Sequence, residues 1–532
     1  MSVCKRKETP GSMKRDLNQI RLGSAISYVQ IGLSILISLF YTPTMIRLLG
    51  RSEHGLYTTV TSAISMLSIL DLGFGSGYIR YYARYRKEND QEAIEKLNGL
   101  FMLIFSVIGC VALLCGLYLS GHLDMVFDQG LTEEEYFTAR VLMLLLTANL
   151  AISFPMSVFQ NIILAHERFI FLKLLMVLKT VVSPMLTLPL LLMGYRSIAM
   201  VTVTVLLSLI TDCVYAWYCF RHLHCRFRFR GFEPGIIRGL FAYTGFIAVN
   251  IIVDQINWNV DKVLIGRYRG TAAVSVYSAG SMIHQYFQQF STSISNFFTP
   301  RVHHLFQAYQ GVQEKLDQEL TGLFIRVGRV QFLLLALIAS GLCLFGRTFF
   351  HCWLGDEYAD SYAIMLLLVL PTLIPLIQNT GIEIQRAENR HRFRSIAYGL
   401  MALLNLGLSI VLCRRYGGIG AALGTALSVL AANGLIMNVY YQKRCGLNIV
   451  LFWKNILRMA LGLVLPVPVG IALNHLLKAQ TWMILILKIV IYSAVYCLSM
   501  WLISMNPEEK SIFKKAASLL FHFPKKTDNV NG

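Results

Sequence analysis

Charged residues are scarce in this sequence. Only 14% of its 532 residues are Asp, Glu, Lys or Arg, whereas 55% are hydrophobic. A soluble domain typically carries about 25% charged residues, so this composition excludes an ordinary soluble globular protein. The formal net charge is +19, but no compact basic domain gathers it, which argues against nucleic acid as a partner.

Short enzyme motifs are missing as well. The sequence contains no H-E-x-x-H, no Walker A motif and no G-x-S-x-G, which argues against zinc proteases, P-loop ATPases and α/β-hydrolases. Its 11 cysteines are scattered without a C-x-x-C pair, which disfavours a disulfide framework or a zinc site. We therefore predict that the protein is not an enzyme and has no catalytic residues, no metal and no organic cofactor.

Long apolar runs are what the sequence has instead. A helix of about 20 apolar residues crosses about 30 Å of hydrocarbon. We predict an all-α integral membrane protein with about fourteen transmembrane helices. These predicted spans lie near residues 24–46, 57–79, 97–119, 138–164, 171–193, 198–220, 237–260, 273–299, 324–346, 361–385, 395–412, 418–440, 455–473 and 481–503. No signal-peptide cleavage site follows the first run, so we expect it to remain as a helix.

The distribution of basic residues predicts the orientation. Most of the 48 Lys and Arg residues lie in the two termini and in the loops after the even-numbered spans. Because cytoplasmic loops are enriched in Lys and Arg, both termini are predicted to be cytoplasmic.

Two halves of the sequence are related by one offset. The stretch "RLLGRSEHGLY" (47–57) is loosely repeated as "VLIGRYRGTAAVSVY" (263–277), and Pro155 and Pro375 also lie 220 residues apart. Six spans per half is an even number, so the repeats are parallel, related by an axis along the membrane normal. The predicted domains are an N-terminal bundle (1–222), a C-terminal bundle (223–445), helices 13 and 14 (446–505) and a cytoplasmic tail (506–532).

Polar side chains recur at helical spacing within the spans. Asn250, Asp254, Asn257 and Asp261 share one face of span 7, and Gln285 belongs to a similar stripe on span 8. Polar groups in hydrocarbon need water or a polar partner. We interpret the stripes as the lining of a wet cavity between spans 1, 2, 7 and 8. Hydrogen bonds that merely join the helices are the alternative.

Charged residues and a run of alternating glycines interrupt some of the apolar spans. Asp71, Lys179 and Asp212 lie within spans 2, 5 and 6, where an unpaired charge costs about 2.5–3.5 kcal/mol on insertion scales. Lys179 either pairs with one of the acids or presents its charge to an anionic substrate. Gly73, Gly75 and Gly77 have no preceding strand, so they favour a bend or close helix contact near a gate over nucleotide binding. The predicted structural and gate residues are Asp71, Gly73, Gly75, Gly77, Asp212, Pro155 and Pro375.

The stretches 42–86 and 259–280 resemble the starts of the two halves of bacterial polysaccharide transporters. These are O-antigen-type flippases of the multidrug/oligosaccharidyl-lipid/polysaccharide (MOP) superfamily. The resemblance implies a protein of the bacterial inner membrane that moves a polyprenyl-diphosphate-linked oligosaccharide to the outer leaflet by alternating access. Membrane lipids and glycan polymerase machinery are the further partners it suggests.

A diphosphate-sugar headgroup needs cations, amides and hydroxyls, and arginine suits phosphate because it donates paired hydrogen bonds. The predicted substrate-binding residues are Arg47, Arg80, Lys179, Asn250, Asn257, Lys262, Gln285 and Arg301. Basic residues at span ends also serve as topology anchors, which is the alternative for each of them. Asp254 and Asp261 are predicted to couple a cation, Na⁺ or H⁺.

Other functions remain open from the sequence. A cation-coupled drug or metabolite antiporter of the same superfamily is the first alternative, and a lipid II flippase is another. A membrane polysaccharide polymerase or glycosyltransferase normally carries a sizeable outer catalytic loop, which this sequence does not show. A non-transporting scaffold of a glycan-synthesis complex is the last.

Overall fold

A computed structural model describes residues 10–127, 131–231, 234–295, 298–309, 311–388 and 390–511. The basic N-terminal residues Lys5, Arg6 and Lys7 lie outside these ranges, as do residues 512–532 of the predicted cytoplasmic tail. Within the described ranges the structured elements are helices, with no β-strand among them.

Nineteen α-helices follow one another along the described residues. In chain order they are α1 (Pro10–Leu49), α2 (Arg51–Met66), α3 (Phe74–Glu88), α4 (Gln91–Gly121), α5 (Glu133–Ala165), α6 (Phe169–Leu192), α7 (Ser197–Arg221), α8 (Pro234–Gln255), α9 (Asp261–Arg269), α10 (Thr271–Ser295), α11 (Thr299–Ala308), α12 (Gln313–Leu354), α13 (Ala359–Ile377), α14 (Thr380–Ala387), α15 (His391–Val429), α16 (Asn438–Arg444), α17 (Ile449–Ala460), α18 (Pro466–Leu476) and α19 (Trp482–Ser499). Short 3₁₀ or π segments connect several of them, among them the 3₁₀ turn Leu67–Asp71 and the π turn Ile256–Val260.

Eleven helical stretches of the described residues are long and apolar enough to cross a membrane. The count rises to twelve if Arg238–Gly245 and Ile247–Arg269, which meet at 46°, form one span. The predicted all-α membrane fold is confirmed at this level, with fewer qualifying stretches than the fourteen predicted. Two predicted spans fall within one stretch, Arg392–Arg444, and the predicted span at 273–299 falls on α10, which is rich in Ser, Thr and Gln.

The stretch Arg392–Arg444 contains a break in its helix. Gly417 has φ 60° and ψ −137°, which is not helical. The guanidinium of Arg269 donates hydrogen bonds of 2.6 and 2.7 Å to the carbonyls of Arg414 and Arg415, just before the break. Carbonyls at a helix end lack partners within the helix, so Arg269 satisfies the end of the first segment.

The chain divides into two compact units. The first comprises Met1–Tyr286, Ala363–Leu368 and Arg392–Val429, and the second comprises Phe287–Tyr362, Val369–His391 and Leu430–Gly532. The predicted domain boundaries at residues 222 and 445 stay predictions.

In the first unit, predicted span 2 is broken into two helices. The 3₁₀ turn after α2 ends at Asp71, and Leu72 and Gly73 then have positive φ angles of 48° and 75°. Glycine adopts this left-handed conformation without the steric cost of a Cβ atom. The break therefore begins where the alternating glycines begin.

In the second unit, α12 packs against α17, α18 and α19. Hydrogen bonds join these apolar helices: Tyr492 bonds to Ser340 at 2.6 Å, and Tyr496 donates to the carbonyl of Leu333 at 2.7 Å. Lys488, a charge within predicted span 14, is buried and donates to Asn474 Oδ1 at 3.1 Å. Its charge therefore has a polar partner inside the bundle.

Candidate functional site

A groove opens where α1 packs against α6 in the first unit. It encloses about 400 Å³ and is lined by residues of these two helices. Its polar lining consists of Gln30, Ser34, Ser38, Tyr41, Lys179, Thr180 and Ser183. Lys179 is the charged residue of this lining, so the groove combines one positive charge with hydroxyl and amide groups. We call it the α1–α6 groove.

Lys179 and the acid Asp212 belong to one polar cluster. Lys179 Nζ donates to Ser208 Oγ at 3.4 Å, and Ser153 Oγ donates to Asp212 Oδ2 at the same distance. Ser208 and Asp212 are four residues apart on α7 and thus share a face. Each charge is bonded to a serine, and Asp212 attracts the Lys179 ammonium through space.

Hydroxyl groups form the wall of the groove on α1. Tyr41 OH lies 2.8 Å from Thr187 Oγ1 of α6. Ser38 Oγ accepts a hydrogen bond from Tyr286 OH of α10 and lies 3.1 Å from Thr42 Oγ1. These bonds fix the positions of hydroxyls that the sequence identified only as a stripe.

A second cavity lies between α1, α2, α9 and α10, also within the first unit. It encloses about 170 Å³, and its polar lining consists of Thr42, His54, Thr58, Lys262, Ser278, Ser281 and Gln285. α1, α2 and α10 overlap predicted spans 1, 2 and 8, and α9 continues the helix of predicted span 7 beyond its predicted end at residue 260. Two predicted substrate-binding residues, Lys262 and Gln285, therefore meet in one space, which we call the α9 cavity.

His54 is a lining residue that the sequence analysis missed. Its side chain is buried, and Nδ1 lies 2.7 Å from Ser275 Oγ of α10. The available signal was weak, because a single histidine near a helix start is indistinguishable from a surface residue until its neighbour is known.

The polar stripe of predicted span 7 is bonded to α15. Asn250 and Ser395 exchange hydrogen bonds of 3.3 and 3.4 Å, and Asn405 Nδ2 donates to Asn257 Oδ1 at 3.2 Å. Both asparagines thus use part of their hydrogen-bonding capacity between helices.

The two acids of this stripe lie in different surroundings. Asp261 is buried, and its Oδ2 accepts hydrogen bonds from Tyr277 OH at 2.8 Å and Thr425 Oγ1 at 2.9 Å. Asp254 is exposed, and among the described residues it has no hydrogen bond or salt bridge. Arg394 attracts the Asp254 carboxylate through space.

The predicted basic residues outside the two cavities are exposed. Arg47 lies at the end of α1, and the Arg80 guanidinium of α3 stacks 4.4 Å from the ring centre of Tyr243. Both belong to the first unit, whereas Arg301 lies on α11 in the second unit. The structure therefore does not bring these arginines into either cavity.

The glycines after Asp71 lie at tight helix contacts. A Cβ on Gly73 would lie 2.4 Å from Ile247 Cγ2, and one on Gly77 would lie 2.3 Å from Leu240 Cδ1 of the same helix, α8. A Cβ on Gly75 would lie 3.1 Å from Asn161 Oδ1 of α5. The segment thus combines a broken helix with close packing on two sides.

The remaining predicted gate residues lie at three separate places in the fold. Asp71 is half-buried, and its carboxylate accepts a hydrogen bond from the Gly73 backbone. Pro155 lies inside α5, and Pro375 lies inside α13 in the second unit. Among the described residues, no group of three or more His, Cys, Asp or Glu side chains is arranged to hold a metal ion.

A family model matches residues 22–302, more than half of the chain, and its description is polysaccharide biosynthesis protein. The chain belongs to this family. The "Uncharacterized membrane protein EpsK" of Bacillus subtilis (strain 168) is 21% identical over 492 residues, which cover 91% of this chain and 95% of EpsK. This family member is therefore a multi-pass integral membrane protein with a bacterial relative.

Two solved structures share the fold of this family member. The lipid II flippase MurJ in an inward closed conformation has a TM-score of 0.70 at 16% identity, covering 93% of this chain and 99% of MurJ. An inward-facing multidrug resistance MATE transporter of the MOP superfamily has a TM-score of 0.63 at 14% identity, covering 80% and 99%. The prediction of an all-helical fold like that of these transporters is confirmed.

Proposed function

We propose that the protein is a flippase that moves a polyprenyl-diphosphate-linked oligosaccharide from the cytoplasmic to the outer leaflet for surface polysaccharide synthesis. The observation that carries this proposal is the α1–α6 groove, which holds an amide, five hydroxyl groups and one lysine within membrane-spanning helices. Sugars are bound through hydroxyls and amides, whereas phosphates need cationic donors. The groove supplies both kinds of donor.

The polyprenyl tail has a different requirement. Large apolar side chains beside the groove are exposed, including Leu36 and Phe40 on α1 and Leu178 on α6. In a bilayer such surfaces face acyl chains. The tail of the lipid would therefore stay in the hydrocarbon while the headgroup occupies the groove.

We also propose the finer topology: fourteen spans, two parallel six-span repeats plus a final pair, with both termini in the cytoplasm of a bacterial inner membrane. The break at Gly417 supports two spans within Arg392–Arg444. Burial of polar side chains such as Ser275 and Ser281 supports α10 as a span despite its polarity. The protein would then work by alternating access, with no catalytic step of its own.

The decisive experiment follows the lipid-linked glycan in cells depleted of the protein. A membrane-impermeant sugar-modifying reagent reports how much of the lipid-linked oligosaccharide is exposed on the outer leaflet. The proposal requires a full-length intermediate that accumulates but stays protected from the reagent. Truncated intermediates would instead indicate a glycosyltransferase, and exposed but unpolymerised ones a polymerase.

We expect Lys179→Gln to reduce flipping at least tenfold in reconstituted vesicles. The substitution removes the lysine charge of the groove but keeps a polar side chain of similar length, and a hydrogen bond to a charged group contributes about 1.5–3 kcal/mol. Lys173→Gln is the matched control, because Lys173 lies on the same helix but does not line the groove. Equal rates for the two variants would contradict a substrate role for Lys179.

We further propose that Asp254 and Asp261 couple transport to Na⁺ or H⁺. The exposed Asp254 is the direct test, because its carboxylate has no hydrogen bond to another described residue that a substitution would break. We expect Asp254→Asn to remove the dependence of flipping on the ion gradient, measured in vesicles with imposed Na⁺ or pH gradients. Unchanged gradient dependence, with the protein folded, would exclude Asp254 as the coupling residue.

A further inference from the structure

The segment 222–231 follows α7 and packs against the first unit without forming a helix or a strand. Its backbone is fixed at two points by hydrogen bonds to α4. Asn98 Nδ2 donates to the carbonyl of Arg226 at 3.0 Å, and the backbone amide of Arg228 donates to the carbonyl of Glu95 at 3.0 Å. This segment, which we call the post-α7 segment, therefore has a defined position on the bundle.

The side chains of the post-α7 segment alternate in their exposure. Cys225 and Phe227 are half-buried, whereas Arg226, Arg228 and Arg230 are exposed. A period of two is that of an extended chain, so the three guanidinium groups emerge on one side. At about 3.3 Å per residue, Arg226 and Arg230 are roughly 13 Å apart along the chain. The segment thus presents a row of positive charges.

The middle arginine of this row has an acidic partner. Arg228 Nη1 lies 2.8 Å from Glu92 Oε1. Among the residues that the structure describes, no hydrogen bond or salt bridge reaches the guanidinium group of Arg226 or that of Arg230. An arginine side chain stays charged in proteins and has five N–H donors. The two outer arginines can therefore bind an anion from outside the bundle.

Aromatic side chains connect this row to the membrane-facing end of α7. Trp217 and Phe220, in the last turns of that membrane-spanning helix, are 58% and 52% exposed. The ring centre of Phe227 lies 5.9 Å from that of Phe220 and 6.5 Å from that of Phe229, which is 51% exposed. Exposed aromatic residues at the end of a span are typical of the membrane–water interface. The post-α7 segment therefore lies at the level of the lipid headgroups.

The spacing of the two outer arginines indicates which anion they fit. A diphosphate carries its charges on two adjacent phosphates, so one such headgroup reaches Arg226 or Arg230 but does not bridge roughly 13 Å. Anionic phospholipids form a continuous charged surface that contacts both arginines at once. Near such a surface each basic residue strengthens binding about fivefold. Basic residues that only set the topology need no fixed backbone, whereas this row is held by Asn98 and Glu95.

We propose that the post-α7 segment is a docking surface for anionic phospholipids of the cytoplasmic leaflet. Arg226 and Arg230 bind separate headgroups, and Phe229 contacts the acyl chains next to them. The inference goes beyond the proposed function, because it concerns lipids that are not transported, and it uses the proposed orientation of the spans. Bound lipids would hold the connection between the two predicted six-span halves at the membrane surface.

Native mass spectrometry of the full-length protein in detergent tests this by measuring the affinity for single lipids. The protein is titrated with phosphatidylglycerol, which is anionic, and with phosphatidylcholine of the same acyl chains, which has no net charge. We expect the wild type to prefer phosphatidylglycerol, and the double variant Arg226→Gln/Arg230→Gln to reduce that preference by about tenfold. Arg226→Lys/Arg230→Lys should retain the preference, because a lipid surface responds to charge more than to the shape of the donor.

Arg84→Gln/Lys87→Gln is the matched control, because it removes the same charge from exposed positions of α3 on the same side of the membrane. This variant should keep the lipid preference, and thermal unfolding of each variant checks its fold.

Equal affinity of the wild type for both lipids would overturn the proposal. An unchanged preference in Arg226→Gln/Arg230→Gln, or an equal loss in the control variant, would do the same. Weaker binding of geranyl diphosphate to Arg226→Gln/Arg230→Gln, with the phosphatidylglycerol preference unchanged, would assign the two arginines to substrate entry and would also contradict a phospholipid surface.

Discussion

Glu509→Ala is expected to lower the stability of the protein by about 3–5 kcal/mol, the usual effect of removing one partner from a buried ion pair. Glu509 and Arg329 have side chains only 6% and 5% exposed, and Arg329 Nε lies 2.6 Å from Glu509 Oε1. A second hydrogen bond of 2.9 Å joins Nη2 to Oε2. The substitution would leave the Arg329 guanidinium buried without its counter-ion.

The same guanidinium also donates to the carbonyl of Ser504 at 2.9 Å, and Glu509 accepts from the Asn506 backbone at 2.8 Å. The pair thus fastens the chain that follows the final membrane helix onto α12. Thermal or denaturant unfolding of the wild type and the variant in detergent measures this loss of stability.

A neighbouring pair provides the control. Glu508 lies 3.0 Å from Arg326, but these side chains are 73% and 54% exposed. Exposed pairs contribute about 0–1 kcal/mol because water and salt screen them, so Glu508→Ala should change stability little. If the Glu508 and Glu509 variants unfold alike, the buried pair does not stabilise the fold in the way its geometry indicates.

Gly55→Ala is expected to be the most damaging single methyl addition in the first unit. A Cβ at Gly55 would lie 1.7 Å from the carbonyl oxygen of Thr271. Backbone atoms cannot rotate away, so α2 and α10 must move apart, and overpacking of this kind typically costs about 1–3 kcal/mol or more. Two hydrogen bonds of 2.7 Å at the same contact, Ser52 to Thr271 and His54 to Ser275, would stretch as the helices separate.

Gly32→Ala is the matched control, since no atom of a neighbouring described residue lies within 4 Å of a Cβ at that position of α1. Alanine there should be neutral or stabilise by up to about 0.5–1 kcal/mol through its helix propensity. Thermal unfolding of the two variants in one detergent measures the difference. A Gly55→Ala protein as stable as Gly32→Ala would show that α2 and α10 do not pack this closely.

The sequence shows which polar residues share a helix face, but it does not show which residues they bond to. The spacing of Asn250 and Asn257 placed them on one face, but Ser395 and Asn405, to which they bond, lie about 145 residues away. The spacing alone favoured a cavity lining, with an interhelical contact as the alternative. Only the packing of α8 and α15 shows that these two amides bond between helices.

The two lysines show the reverse case. Lys179 and Lys262 were singled out as charges in unusual places, and the structure puts each into the lining of a polar space. The sequence could not supply the other walls, because Gln30 and Ser34 meet Lys179 only through the packing of α1 on α6. His54 was missed for the same reason.

The sequence by itself determined that the protein is an all-helical membrane protein, where most of its spans lie, and which family it resembles. It could do so because the bilayer acts locally: each segment must be apolar over a fixed length and satisfy its own backbone hydrogen bonds. The tertiary structure alone decided which charges are paired, as in Arg329 with Glu509, and which line a cavity, as in Lys262. Those outcomes depend on partners far along the chain, whose distances no local pattern encodes.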